Sequence, residues 1–342
     1  MAVLAVILVT IAAIALEVTK AYKNTSGTIE GFRDSRAAFE TMTRTISHAT
    51  LNTYFDYVNS SGAFRTPSNS GTFTPAGYGR RSDLQFVTGT ASTLLSTVST
   101  QIPHPVTHAI FFFSPLGINS LPGDAQLNGT LNACGYYVMY GADPSVPSYL
   151  SNTTVPTLYR FRLMQFLEPA EYNSVYSLNP ISAQWFLGPL GTSTATFAAN
   201  PTASCLSQMA QNVIALIILP NLSTTDQAYS NTGINIAPNY SYDSTNSTSS
   251  TATLTFNQLP PEVSVTMVVI DEASALKLGN TVAPPNLLTG SAFTSSSQEQ
   301  SDLTNLEKNL SATAGNAAGN HIPLNYRVFY TTVALSSAKW SN

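Results

Sequence analysis

The opening sixteen residues read MAVLAVILVTIAAIAL, and no charge occurs before Glu17. Such a run is apolar on every side of a helix, so it has to be covered by lipid or by other helices. It falls short of the roughly 20 residues that cross a bilayer. It also resembles the apolar region of a secretory signal, with Ala13-Ile14-Ala15 in the place of a cut site. Two features weigh against cleavage there: no basic segment precedes the run, and the helical pattern continues beyond it. Ile29, Phe32, Phe39, Met42 and Ile46 recur at three- and four-residue steps and multiples of them, while Arg33, Asp34, Glu40 and Arg44 lie mostly off that stripe. No proline occurs before Pro67, and only Gly27 and Gly31 weaken the stretch. The pattern predicts one rod from about residue 2 to 57, roughly 85 Å long at ~1.5 Å per residue. Residues 1–57 are expected as the N-terminal helix and 58–342 as a globular head. Within the helix, 1–16 form a membrane or bundle part through Val3, Leu4, Val6, Ile7, Leu8, Val9, Ile11, Ile14 and Leu16. Residues 17–57 form an amphipathic part that packs on the head through Ile29, Phe32, Phe39, Met42 and Ile46.

The head is short of charge. Charged residues make up 9% of the 342-residue chain, against roughly 25% in an ordinary soluble domain. The net charge of −4 leaves no basic field for a phosphate backbone, which excludes nucleic-acid binding as the main function. With 43% hydrophobic residues, 16 Tyr and 16 Phe, the chain has ample material for a core. The low-charge, Ser/Thr/Asn-rich composition reads as extracytoplasmic. Cys134 and Cys205 are too few for a disulfide scaffold. They would form one bridge closing a long loop in an oxidising compartment, or stay as two buried apolar thiols.

Runs rich in Val, Ile, Tyr and Phe predict strands at Leu84–Val87, Thr107–Ser114, Cys134–Tyr140, Thr157–Phe166, Val213–Leu219, Glu262–Ile270 and Tyr326–Leu335. Arg160 and Arg162 fall opposite Tyr159 and Phe161, on a face expected to meet solvent and surface ion pairs. Short helices are expected at Cys205–Gln211, Glu272–Leu278 and Asp302–Ala312, with Gly279 stopping the second and Ser301 or Asp302 capping the third. The polar stretches Ser60–Gly79, Thr192–Ala203, Thr224–Thr253 and Thr281–Gln300 read as long surface loops. The fold class expected is α+β: a long N-terminal helix followed by a mainly antiparallel β head with long polar loops.

The sequence offers few catalytic candidates. His104 and His108 (HPVTH) sit four apart but have no further ligand nearby, so no metal is expected. Ser274-Ala275-Leu276-Lys277 matches an S-x-x-K pattern, but the partner motifs are missing or in the wrong order. Asp271 and Glu272 read as a charged strand end capping the next helix rather than a Ca²⁺ site. No cofactor, no small-molecule substrate and no enzymatic activity are expected.

An apolar half-helix running into an amphipathic half that carries a globular head resembles the type IV pilin and type II secretion pseudopilin superfamily. Within it, Arg33–Val58 (RDSRAAFETMTRTISHATLNTYFDYV) resembles minor pseudopilin J and minor pilin W. The ordered segments AIFF (109–112), LNACGY (131–136), YRFRLM (159–164), NVIAL (212–216), VTMVVIDEAS (265–274) and YRVFYTTVAL (326–335) are similar to the pilin-like Verru_Chthon cassette protein C family. The resemblance implies a pilin-like fold and a non-enzymatic minor pilin or pseudopilin. Its partners would be other pilin-like subunits and the inner membrane, through the N-terminal helix. It implies a head in the periplasm, or on a cell-surface filament after assembly. Such proteins open with a basic leader, a Gly cut site and an early glutamate, none of which precedes Met1, and Glu17 is too deep in the helix to replace that glutamate. The alternative is an anchored binding module whose loops grip polysaccharide or a surface partner, with Tyr54, Tyr57, Tyr240 and Tyr242 as stacking residues.

Overall fold

The computed structural model describes residues 27–124, 126–143, 157–173, 184–191, 196–197, 200–223, 235–288, 292–311 and 323–338. A helix over residues 27–47 leads. The strands that follow are β1 (Tyr54–Val58), β2 (Gly77–Arg81), β3 (Val87–Thr90), β4 (Pro105–Ser114), β5 (Asn132–Ala142), β6 (Tyr159–Glu168), β7 (Thr196–Phe197), β8 (Asn200–Ser204), β9 (Leu206–Gln211), β10 (Val213–Asn221), β11 (Tyr242–Asp243), β12 (Glu262–Ile270) and β13 (Tyr326–Ala334). A six-stranded sheet has the order β11-β3-β4-β5-β6-β9, and a three-stranded sheet the order β10-β12-β13. β1 pairs with β2 and β7 with β8 as separate ribbons, and every pairing is antiparallel.

The central strands are apolar without alternation because both of their faces are covered. In β4, Ile110 and Phe112 enter the core shared with the helix and the three-stranded sheet, through residues such as Met42, Val213 and Met267. Phe111 and Phe113 point the other way, into a second core closed by Leu95, Val98, Trp185, Phe186 and Leu190. The chain passes from one sheet to the other at Asn212, which has φ 61°. Its N–H donates to Phe161 O at 2.7 Å and its carbonyl accepts from Ile270 N at 3.0 Å.

A bulge in β4 between Val106 and Ala109 holds the sheets together. Thr107, at φ 56°, turns its hydroxyl toward β10 and accepts from Leu216 N at 2.9 Å. His108 Nδ1 accepts from Ile218 N at 3.2 Å. Side chains of the bulge thus satisfy donors on the edge of β10 that no strand pairs.

Several expectations are corrected. The rod does not reach residue 57. The helix ends at residue 47, Ser336 N donates to Ser47 O at 3.2 Å, and Thr50 N pairs with Phe113 O at 2.9 Å. Tyr54–Val58 is strand, as suits its aromatic and β-branched residues, so a domain boundary at 57 would cut β1. The body is mostly β, not a stalk carrying a head. Among the described residues no helix is long and apolar enough to cross a membrane. The spanning helix, and with it the inner-membrane anchoring and periplasmic head, are corrected accordingly. Val3, Leu4, Val6, Ile7, Leu8, Val9, Ile11, Ile14 and Leu16 lie outside the described residues. Cys205–Gln211 is not a helix: Leu206–Gln211 is β9, paired with β6. The third expected helix begins at Glu299 instead, and Asp302 accepts from Phe293 N at 2.8 Å rather than capping it. Gly279 follows the helix Glu272–Lys277 at φ 87°, the left-handed stop the sequence indicates.

Candidate functional site

The N-terminal helix is seated by its apolar stripe. Phe32, Phe39, Met42 and Ile46 are buried, with Ser35, Ala38 and Thr45 between them and Ala49 just beyond. Phe39 lies 5.8 Å from the Phe329 ring of β13, centroid to centroid. Ile29, expected on this stripe, is 64% exposed. A stripe of four large apolar residues on a span of about four turns suffices to dock the helix. Its first described turn is pinned by Asp271, at the end of β12. That carboxylate accepts from Thr28 Oγ1 at 2.9 Å, Asn325 Nδ2 at 3.0 Å and Ser274 N at 2.8 Å. Burial opposes its charge, but the hydrogen bonds from Ser274, Asn325 and Thr28 prevail and hold its pKa below the usual carboxylate value. Asp271 is therefore a helix cap, as expected, and also a clasp joining three segments.

Two grooves flank the docked helix. The first, about 690 Å³, runs between the helix and β13, the outer strand of its sheet. Arg33, Arg36 and Arg327 line it, together with Glu40, whose carboxylate is 2.8 Å from Arg36 Nε. The Arg327 guanidinium sits 5.2 Å above the Phe32 ring. The second groove, about 450 Å³, lies on the opposite flank against β9, the outer strand of the six-stranded sheet. Glu30, Asp34 and Glu272 line it, with no Lys or Arg among its lining residues.

Arg160 and Arg162 are not at the surface. Arg162 is 1% exposed and donates to the carbonyls of Gly141, Arg160 and Leu158. Arg160 donates to Tyr159 O at 2.9 Å and pairs with Glu272 at 3.1 Å. Burial lowers the Arg162 pKa, yet the carbonyl cage and Asp143 supply partners for the cation.

The expected chemical candidates do not converge. His108 is buried, with Nε2 2.9 Å from Phe293 O and Nδ1 accepting from Ile218 N. That fixes the neutral tautomer with the proton on Nε2, and burial lowers its pKa to about 4. His104 is exposed on the approach to β4. Ser274 Oγ accepts from Asn325 N at 2.8 Å, while Lys277 Nζ donates to Pro323 O at 3.1 Å, so they form no nucleophile–base pair. Cys134 and Cys205 form no disulfide and are buried in the two separate cores, on opposite sides of the six-stranded sheet. Burial raises both thiol pKa values. Among the described residues no group of three or more His, Cys, Asp or Glu is placed to hold a metal ion.

Of the expected stacking residues, Tyr240 and Tyr242 are buried, whereas Tyr54 and Tyr57 belong to the exposed β1–β2 ribbon. Phe55 and Tyr78, not singled out in the sequence, are 75% and 70% exposed. Tyr57 and Tyr78 face each other with ring centroids 4.9 Å apart. Alternation in YFDYV is the signal that would have shown Phe55 and Tyr57 on one face.

No family model, curated protein or solved structure matches the chain.

Proposed function

We propose that the protein is a non-enzymatic assembly subunit, a minor pilin or pseudopilin of a type IV pilus-like or type II secretion-like system. Its partners are other pilin-like subunits, and it takes neither cofactor nor small-molecule substrate. One observation carries this reading. The helix at 27–47 has one face locked into the β body by Phe32, Phe39, Met42 and Ile46, and its opposite face, with Arg33, Ala37, Glu40 and Arg44, is exposed. A helix held this firmly transmits load to the body, and in sequence the ten residues 17–26 separate it from the apolar run 1–16. Burial of that run against sister subunits would drive association at roughly 25 cal/mol per Å² removed from water.

The second reading, a binding module for polysaccharide, rests on the exposed Phe55, Tyr57 and Tyr78 of the ribbon. Deletion of Met1–Leu16 separates the two. The assembly reading expects a folded monomer that no longer co-sediments with the filament or secretion complex. If the truncated chain still joined that complex, assembly through the apolar run would be wrong. Binding of the truncated chain to immobilised polysaccharide, lost on Phe55→Ala, would favour the second reading.

A further inference from the structure

We infer that the two grooves beside the N-terminal helix are complementary halves of one joint, the basic groove of one copy taking the acidic groove of the next. This rests on the assembly reading and adds to it a specific contact between bodies. In a chain with only 14 basic and 18 acidic residues, like charges have little reason to cluster by chance. Yet Arg33, Arg36 and Arg327 line one groove, where Glu40 is the sole acid and is tied to Arg36. Glu30, Asp34 and Glu272 line the other without a single cation. Glu272 is shared with Arg160 and Asn212, which leaves Glu30 and Asp34 as the outward charges.

The placement is as informative as the sign. Along a helix each residue turns by about 100°, so Glu30 and Asp34 lie on one flank of the buried stripe and Arg33 and Arg36 on the other. Each flank also borders a strand that ends its sheet, β9 on the acidic side and β13 on the basic side. Outer strands invite pairing with another chain unless something covers them. Opposite charges on opposite flanks suit a head-to-tail contact. A two-fold dimer can also set each basic half against an acidic half, but only by using both halves of both copies in one closed contact. A heterologous contact leaves one half free at each end, so it propagates into a filament or closes into a ring. Exposed pairs of this kind set register and specificity more than tightness, and salt weakens them.

The test uses the full-length chain in non-ionic detergent, which suppresses association through residues 1–16. Two variants are compared by analytical ultracentrifugation: R33E/R36E reverses the basic half, and E30R/D34R the acidic half. All four side chains are exposed, so the melting temperature serves as a check that both variants fold. The wild type is expected to self-associate at low salt and to dissociate as NaCl is raised from 50 to 500 mM. Each variant alone should remain monomeric. An equimolar mixture should regain association, because the reversed halves complement each other while the unaltered halves meet as in the wild type. A wild type that stays monomeric, variants that associate like it, or a mixture that stays apart would each overturn the joint. Loss confined to R33E/R36E would assign the basic groove to another partner and overturn it equally. Normal co-assembly by both variants, together with loss on deleting Met1–Leu16, would remove the joint and leave the assembly reading standing.

Discussion

Gly135→Val is expected to destabilise the protein by about 3 kcal/mol or more, in the range of severe overpacking. Gly135 sits in β5 directly across from Phe111 of β4. A Cβ at this position would overlap the Phe111 ring, 2.6 Å from Cε1, and would press to 3.0 Å from Ile110 O. The ring has no room to retreat. Phe186 stacks on it at 3.9 Å and 3°, and Phe166 meets it edge-on at 6.1 Å. The side chain missing from Gly135 is thus supplied by the phenyl ring across the strand pair, an arrangement that fixes register as well as packing. Denaturant unfolding should show a midpoint shifted well down with little change in slope. A midpoint within error of the wild type would mean that Phe111 does not lie over Gly135.

The second large effect is on pH. His108 is neutral in the fold, its pKa lowered by burial from 6.5 to about 4, despite an opposing hydrogen bond to Phe293 O. An unfolded chain binds that proton near pH 6.5, so the stabilisation is complete above 6.5 and is lost as pH falls from there to about 4. The shift amounts to about 3 kcal/mol across that window. Glu168 works in the opposite sense. Burial raises its pKa from 4.5 to about 7, so it costs stability progressively as pH rises from 4.5 to 7. The two nearly offset each other in the wild type. In a Glu168→Gln background the offset is gone, and unfolding free energy should drop steeply between pH 6.5 and 4. Adding His108→Gln should flatten the curve. A Glu168→Gln protein equally stable at pH 6.5 and 4 would show that His108 is not buried neutral between β4 and β10.

Much of the β body is legible in the sequence because burial on both faces leaves long apolar runs. β12 has the expected bounds, and β4, β5, β6, β10 and β13 differ by a few residues at most. What was hidden depends on partners distant in the chain. β9 reads as a helix because Leu206, Gln208, Met209 and Ala210 are all good helix formers, and only the open edge of β6 makes them a strand. Arg160 and Arg162 occupy alternate positions that would face water on a sheet covered once, but this sheet is covered twice. The rod to residue 57 overextends a true periodicity. The apolar stripe ends at Ile46 and Ala49, and the next residues prefer a strand. At the site, the seating residues Phe32, Phe39, Met42 and Ile46 were legible from spacing. The grooves were not, since Arg327 and Glu272 reach the helix only through the fold.

Residues 27–47 form an integral layer of the β body. Amide hydrogen exchange followed residue by residue measures this directly. Amides from Arg36 to Ile46 are expected to exchange only with global unfolding, as slowly as those of β5 and β12. Exchange of that helix orders of magnitude faster than the central strands would show it detached from the body, and would contradict the account.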